Sequence, residues 1–67
     1  MSKDLQQHEL RVLKEKEDLG EKINKLDEFL SSEKSDGIGA NQHELLLAQA
    51  FAMKAYFTVL ELRIAAF

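Results

Sequence analysis

Apolar side chains recur in two blocks of similar length, separated by a polar stretch that contains glycine. In the first block Leu5, Val12, Leu19 and Leu26 stand seven residues apart, with Ile23 and Leu30 between their rows. Steps of three and four place these side chains on one stripe of a helix, so the spacing predicts a helix over about residues 3–32. The stretch Ser31-Ser32-Glu33-Lys34-Ser35-Asp36-Gly37-Ile38-Gly39-Ala40 holds two of the three glycines and reads as a linker over about 33–41. Asn41 with Glu44 three residues on has the form of a capping box, which opens a second helix over about 42–66. A connection of about ten residues reverses the chain between two helices each about 40 Å long. The expected fold is all-α: one domain over residues 1–67, an antiparallel two-helix hairpin that assembles into an oligomeric helical bundle.

The faces of the two helices carry that last expectation. Helix 1 has one apolar seam and a solvated side with Asp4, Glu15, Asp18, Lys22 and Lys25. Helix 2 has two seams. One, Leu46, Met53, Leu60 and Phe67 with Gln49, Tyr56 and Arg63 between, is suited to face helix 1. The other, Leu45, Ala48, Ala52, Ala55, Val59, Leu62 and Ala66, is wholly apolar, rich in small side chains and flanked by Phe51, Phe57 and Ile64. One hairpin covers one seam, and the strip left over exceeds what soluble monomers carry. Those seven residues are therefore the expected homo-oligomer interface. Gly20, inside helix 1, either marks a close helix approach or is tolerated at a cost of about 1 kcal/mol.

Length and composition point the same way. A chain of 67 residues, 45% apolar, buries only about 60% of its unfolded surface on its own. The absence of cysteine removes disulfides, thiolate metal sites and a catalytic thiol, which leaves oligomerisation as the leading source of added stability. A net charge of −3 argues against a duplex nucleic acid partner. Met1 to Asp4 lacks the basic start of a secretory signal, so a cytoplasmic location is expected. Residues 45–67 approach the length of a membrane span, but Lys54, Glu61 and Arg63 would each cost about 3 kcal/mol there, and no membrane is expected.

In an antiparallel hairpin turning near residues 35 and 36, positions whose numbers sum to about 72 lie side by side. Glu9 then meets Arg63, Lys16 meets Tyr56 and Ile23 meets Gln49. These pairs read either as a register lock for two slippery helices or as an open-end ligand pocket. In the second reading Arg11, Lys16 and Arg63 are available to phosphate or carboxylate, and Tyr56 to stack on a base. His8 and His43 have no second ligand three or four residues on, so neither a metal nor another cofactor is expected. No nucleophile triad, phosphate loop or carboxylate pair is present in the pattern, which points away from an enzyme. The run Glu15, Glu17, Asp18 and Glu21 with Lys14, Lys16, Lys22 and Lys25 reads as helical i,i+4 pairing, or as a face for a basic protein surface.

The set His8-Glu9-Leu10-Arg11-Val12, Glu15-Lys16, Leu19, Lys22-Ile23, Lys25-Leu26 and Phe29-Leu30, continued by Leu45-Leu46-Leu47, Gln49, Met53, Tyr56, Leu60 and Arg63-Ile64-Ala65-Ala66-Phe67, resembles a family of small phage and prophage hairpin proteins of unassigned role. The linker Ser35-Asp36-Gly37-Ile38-Gly39-Ala40 departs from that family's more proline- and glutamate-rich turn. In layout the chain also resembles the hairpin domains of anti-CBASS and anti-Thoeris sponge proteins. The resemblances imply a non-enzymatic phage accessory protein acting in the host cell by stoichiometric binding, as a counter-defence sponge for cyclic oligonucleotide signals. The alternatives are a protein-binding inhibitor of a host defence or regulatory complex, and a structural virion or assembly component.

Overall fold

A computed structural model describes residues 5–67. Helix α1 (Gln7–Leu30), a short 3-10 helix (Glu33–Ile38) and helix α2 (Ala40–Ala65) follow in chain order. The 3-10 helix makes the reversal, and α1 and α2 run antiparallel in a rod of 52 × 15 × 15 Å. Positions 3 and 4 of the first expected helix lie outside the described residues; Leu5 and Gln6 precede the helix. Helix α1 starts where Glu9 Oε1 accepts the Gln6 backbone N–H at 2.7 Å, which satisfies a donor the helix itself leaves orphaned.

The turn differs from expectation at the entry to α2. Asn41 does not cap the helix but lies inside it, and Gly39 takes the N-cap position with φ +89°. Only glycine adopts this backbone without strain, and Gly39 O then accepts the His43 N–H at 3.0 Å. Ser35 is buried in the turn, its hydroxyl donating to Ser32 O at 2.9 Å, and the Ser32 hydroxyl donates to Phe29 O at 2.7 Å. These bonds hold the carbonyls at the end of α1 without a left-handed residue there.

Steps of three and four define the contact between the helices. On α1 the covered positions include Glu9, Val12, Lys16, Leu19, Ile23, Leu26 and Leu30. On α2 they are His43, Leu46, Ala50, Met53, Phe57, Leu60, Ile64 and Phe67. The seam through Leu46, Met53, Leu60 and Phe67 thus faces α1 as expected. The residues between them are Ala50, Phe57 and Ile64, not Gln49, Tyr56 and Arg63, which are exposed. Phe57 and Ile64 accordingly belong to the hairpin core and do not flank the second seam. Val12, Ala50 and Leu60 are the buried apolar residues among those described, and Leu60 is shielded completely. Gly20 is a close approach: a Cβ there would stand 3.2 Å from Cε1 of Phe57.

The second seam is uncovered along its whole length. Leu45, Ala48, Ala52, Ala55, Val59, Leu62 and Ala66 are all exposed. At about 100° per residue the mean direction of these seven side chains lies about 150° from that of the covered set, so they point away from α1. Helix α2 is also long and apolar enough to cross a bilayer, with a mean hydropathy of 1.4 over its best window and 11% of that window buried.

Candidate functional site

The two edges of the hairpin, where α1 and α2 meet solvent, have different chemistry. On one edge the Tyr56 hydroxyl donates to the Glu15 carboxylate. Around it a groove of roughly 630 Å³ is lined by residues that include Leu10, Arg11, Lys14, Asp18, Lys22 and Tyr56. Position 15 lies one step before the covered position 16, and position 56 one step before the covered position 57, so both side chains emerge at the same border. The bond to Glu15 holds Tyr56 in its neutral form and raises its pKa above the ordinary tyrosine value. Burial and the charge of Glu15 add to the rise, and Arg63 opposes it. Arg63, two turns along α2 from Tyr56, therefore acts on the same edge. Lys14 donates to Asp18 at 3.1 Å, and this hydrogen bond, with the carboxylate charge beside it, raises the lysine pKa.

The opposite edge holds Lys16. Its ammonium stands 5.4 Å from the centre of the Phe57 ring and 3.9 Å from Glu61 Oε2. Farther toward the turn Lys54 meets Asp27 at 3.2 Å. Lys16 therefore does not meet Tyr56 and does not join Arg11 and Arg63. As a covered position it packs its stem on the core and sends its charge to the far edge. Arg11 and Tyr56 line one groove, with Arg63 close enough to bias the tyrosine; Lys22, which the sequence reading placed only on the solvated face, joins them. Its signal was available: Arg11, Lys22 and the groove residues Lys14, Glu15 and Asp18 share one side of α1.

Two further expected contacts are absent. Glu9 forms no ion pair with Arg63, because its carboxylate turns back onto the start of α1. Gln49 does not pack on Ile23; it is exposed, with its amide nitrogen 3.7 Å from Met53 Sδ in its own helix. Of the expected pairing in the acidic run, Lys14–Asp18 is the i,i+4 ion pair that forms among the described residues. His8 and His43 belong to opposite ends of the rod, and among the described residues no cluster of acidic or histidine side chains could hold a metal ion.

A protein of Enterobacteria phage T4, described as an uncharacterized 7.5 kDa protein in the denB-rIIB intergenic region, is 45% identical over 60 residues. The alignment covers 90% of this chain and 94% of the phage protein, which bears out the likeness to small phage proteins of unassigned role. No solved structure matches. The family profile described as Sequestin matches residues 6–66, both helices and the turn between them, and the chain belongs to the Sequestin family.

Proposed function

We propose that the protein is a non-enzymatic phage accessory factor that works inside the host cell by sequestering a cyclic oligonucleotide signal. The observation that carries the reading is the groove beside Tyr56. Arg11 and Lys22 in its lining, and Arg63 farther along the same edge, supply cations for phosphate, and the exposed phenol ring supplies a face on which a base stacks. Its volume, roughly 630 Å³, falls in the range of small-molecule sites. The family's name, which denotes sequestration, supports the same reading. Lys16 is not part of this site. Several copies associate through Leu45, Ala48, Ala52, Ala55, Val59, Leu62 and Ala66, so that neighbouring hairpins enlarge a groove that is open on a single one. Helix packing suits this face better than lipid does, because Lys54, Glu61 and Arg63 lie on the same helix and each carries an insertion cost of about 3 kcal/mol.

Native mass spectrometry of the protein with a panel of cyclic di- and trinucleotides tests the proposal, since it reads subunit number and bound ligand together. The expected result is an oligomer carrying intact nucleotide, with occupancy that falls at least tenfold in Arg63→Ala or Tyr56→Ala and weakens with salt. A chain that stays empty across the panel refutes the nucleotide and turns the search to a host protein.

A further inference from the structure

We infer that two copies of the chain pair through the uncovered face of α2 as an antiparallel, two-fold-symmetric dimer whose axis passes between Ala52 and Ala55. The inference rests on the oligomeric reading above and adds to it the orientation and register of the partner. Three observations carry it.

The first is area. The chain exposes 5362 Å², whereas a compact monomer of this mass exposes about 4,300 Å². The excess is on the order of 1,000 Å², and each partner in a stable interface gives up about 800 Å². Large seam side chains are among the exposed apolar ones: Leu45 is 61% exposed, Val59 47% and Leu62 66%, with Phe51 on the flank of the seam at 76%.

The second is the order of sizes along the seam. Leu45, Ala48, Ala52, Ala55, Val59 and Leu62 run from large through small to large, and the row reads almost the same in either direction. Reversal about the point between Ala52 and Ala55 sets Leu45 beside Leu62 of the partner subunit. It sets Ala48 beside Val59 of the partner subunit, and Ala52 beside Ala55 of the partner subunit. Alanines at the centre let the two backbones approach closely, and leucines close both ends. That point also lies within a residue or so of the middle of α2 (Ala40–Ala65), so the two helices overlap over nearly their full length.

The third is electrostatic. The antiparallel arrangement opposes the two helix dipoles, whereas a parallel one aligns them. The edge positions that border the seam, Gln42, Gln49, Tyr56 and Arg63, then meet one another with no like charges in contact: Tyr56 falls near Gln49 of the partner subunit, and Arg63 near Gln42 of the partner subunit. A two-fold axis perpendicular to the helices also keeps the Tyr56 edge of both copies on the same face. The dimer therefore presents two grooves side by side to one ligand or to two. A parallel dimer would put them on opposite faces.

Because the chain has no cysteine, oxidative cross-linking reads the orientation directly. Leu45→Cys and Leu62→Cys are prepared separately, checked for wild-type helicity by circular dichroism, and oxidised with oxidised glutathione, alone and mixed. The expected result is a disulfide-linked pair of 7.7 kDa chains from the mixture, at least tenfold above either variant alone. Ala48→Cys mixed with Val59→Cys repeats the test with smaller changes of volume, should either leucine variant lose helicity, and each of these positions lies about 16 Å along the helix from its own symmetry mate. Cross-linking of each single variant to itself, with no preference for the mixture, overturns the antiparallel register, and a wild type that is monomeric throughout the micromolar range overturns the dimer. Nucleotide occupancy in the same native spectra keeps the two proposals apart. A monomer that binds nucleotide sinks this inference alone, and a cross-linked dimer that stays empty upholds it while sinking the sequestration reading.

Discussion

Leu60 and Leu62 stand two positions apart on α2 and face opposite ways, so truncating each to alanine separates the hairpin core from the outer face. Leu60 is 0% exposed, and Leu60→Ala loses the transfer free energy of the whole side chain and leaves a cavity, a cost of about 2–5 kcal/mol. A core of this size supplies about 3–5 kcal/mol in all, so the variant is largely unfolded as a monomer. Leu62 is 66% exposed in the hairpin. With about a third of its surface covered, Leu62→Ala costs the isolated hairpin only about 0.5–1 kcal/mol. Urea unfolding followed by circular dichroism, at protein concentrations spanning a hundredfold, reads both effects. The Leu60→Ala loss is present at every concentration. With association through the proposed face, the Leu62→Ala loss should grow with concentration, because the wild type would gain stability from association and the variant would not. Equal losses for the two variants at the lowest concentration would refute the assignment of faces on α2.

Gly20→Ala adds helix propensity worth about 1 kcal/mol and sets a Cβ 3.2 Å from the edge of the Phe57 ring. Because that ring is only half-buried and free to yield a few tenths of an ångström, a net gain of about 0.5 kcal/mol is expected in urea unfolding; a loss would show the approach to be rigid. Tyr56 is the sole tyrosine in a chain without tryptophan, so its tyrosinate absorbance reports one group. Its pKa is raised by the Glu15 hydrogen bond, so the stabilisation is complete below the unfolded value near 10 and is lost as pH rises through the higher folded value. In Glu15→Gln the titration should move down toward the ordinary value, and an unchanged midpoint would show that the bond does not hold in solution. Asp27→Asn removes a half-exposed ion pair with Lys54, for which a loss of about 0.2–1 kcal/mol that fades in high salt is expected on chemical denaturation.

Most of the fold was legible because the heptad rows of both helices are nearly unbroken. Val12, Leu19 and Leu26 on one side and Leu46, Met53, Leu60 and Phe67 on the other are enough to pair the helices, and the surplus row on α2 was as plain; Leu5, the first of its row, precedes α1 and is exposed. The edges were harder. Taking Gln49, Tyr56 and Arg63 as seam partners in place of Ala50, Phe57 and Ile64 is an error of one residue, yet one residue is about 100° of rotation. That turn moved Lys16 to the wrong side of the hairpin. The row at four steps from Leu46, Met53 and Leu60 is apolar throughout, whereas the row at three steps is polar throughout, and this contrast decides the question without coordinates. The turn was less accessible: Asn41 has the side chain of a good cap, but a glycine two residues earlier supplies a backbone angle that no side-chain preference announces.

The polar residues inside the seam explain how an acidic chain can offer a site to an anion. Glu9 sits on a covered position and is committed to the start of α1; Lys16 sits on another and is committed to the Phe57 ring and Glu61. Lys14 is matched by Asp18. The cations left to the groove are Arg11 and Lys22, with Arg63 farther along the same edge, against Glu15, whose carboxylate is held by the Tyr56 hydroxyl. An incoming phosphate must compete with that carboxylate for the same hydroxyl, so a single hairpin offers an anion modest net attraction and no enclosure. The proposed antiparallel dimer would change the balance: with both grooves on one face, a ligand with two phosphates would meet the cations of two hairpins at once. The second contact is then intramolecular and strengthens binding without any new kind of interaction. On the sequestration reading, disrupting the α2 face should therefore weaken nucleotide binding as much as Arg63→Ala is expected to, although no residue of that face lines the groove. Ala55→Glu tests this with the groove intact. Full affinity in a monomeric Ala55→Glu would show that each hairpin binds alone.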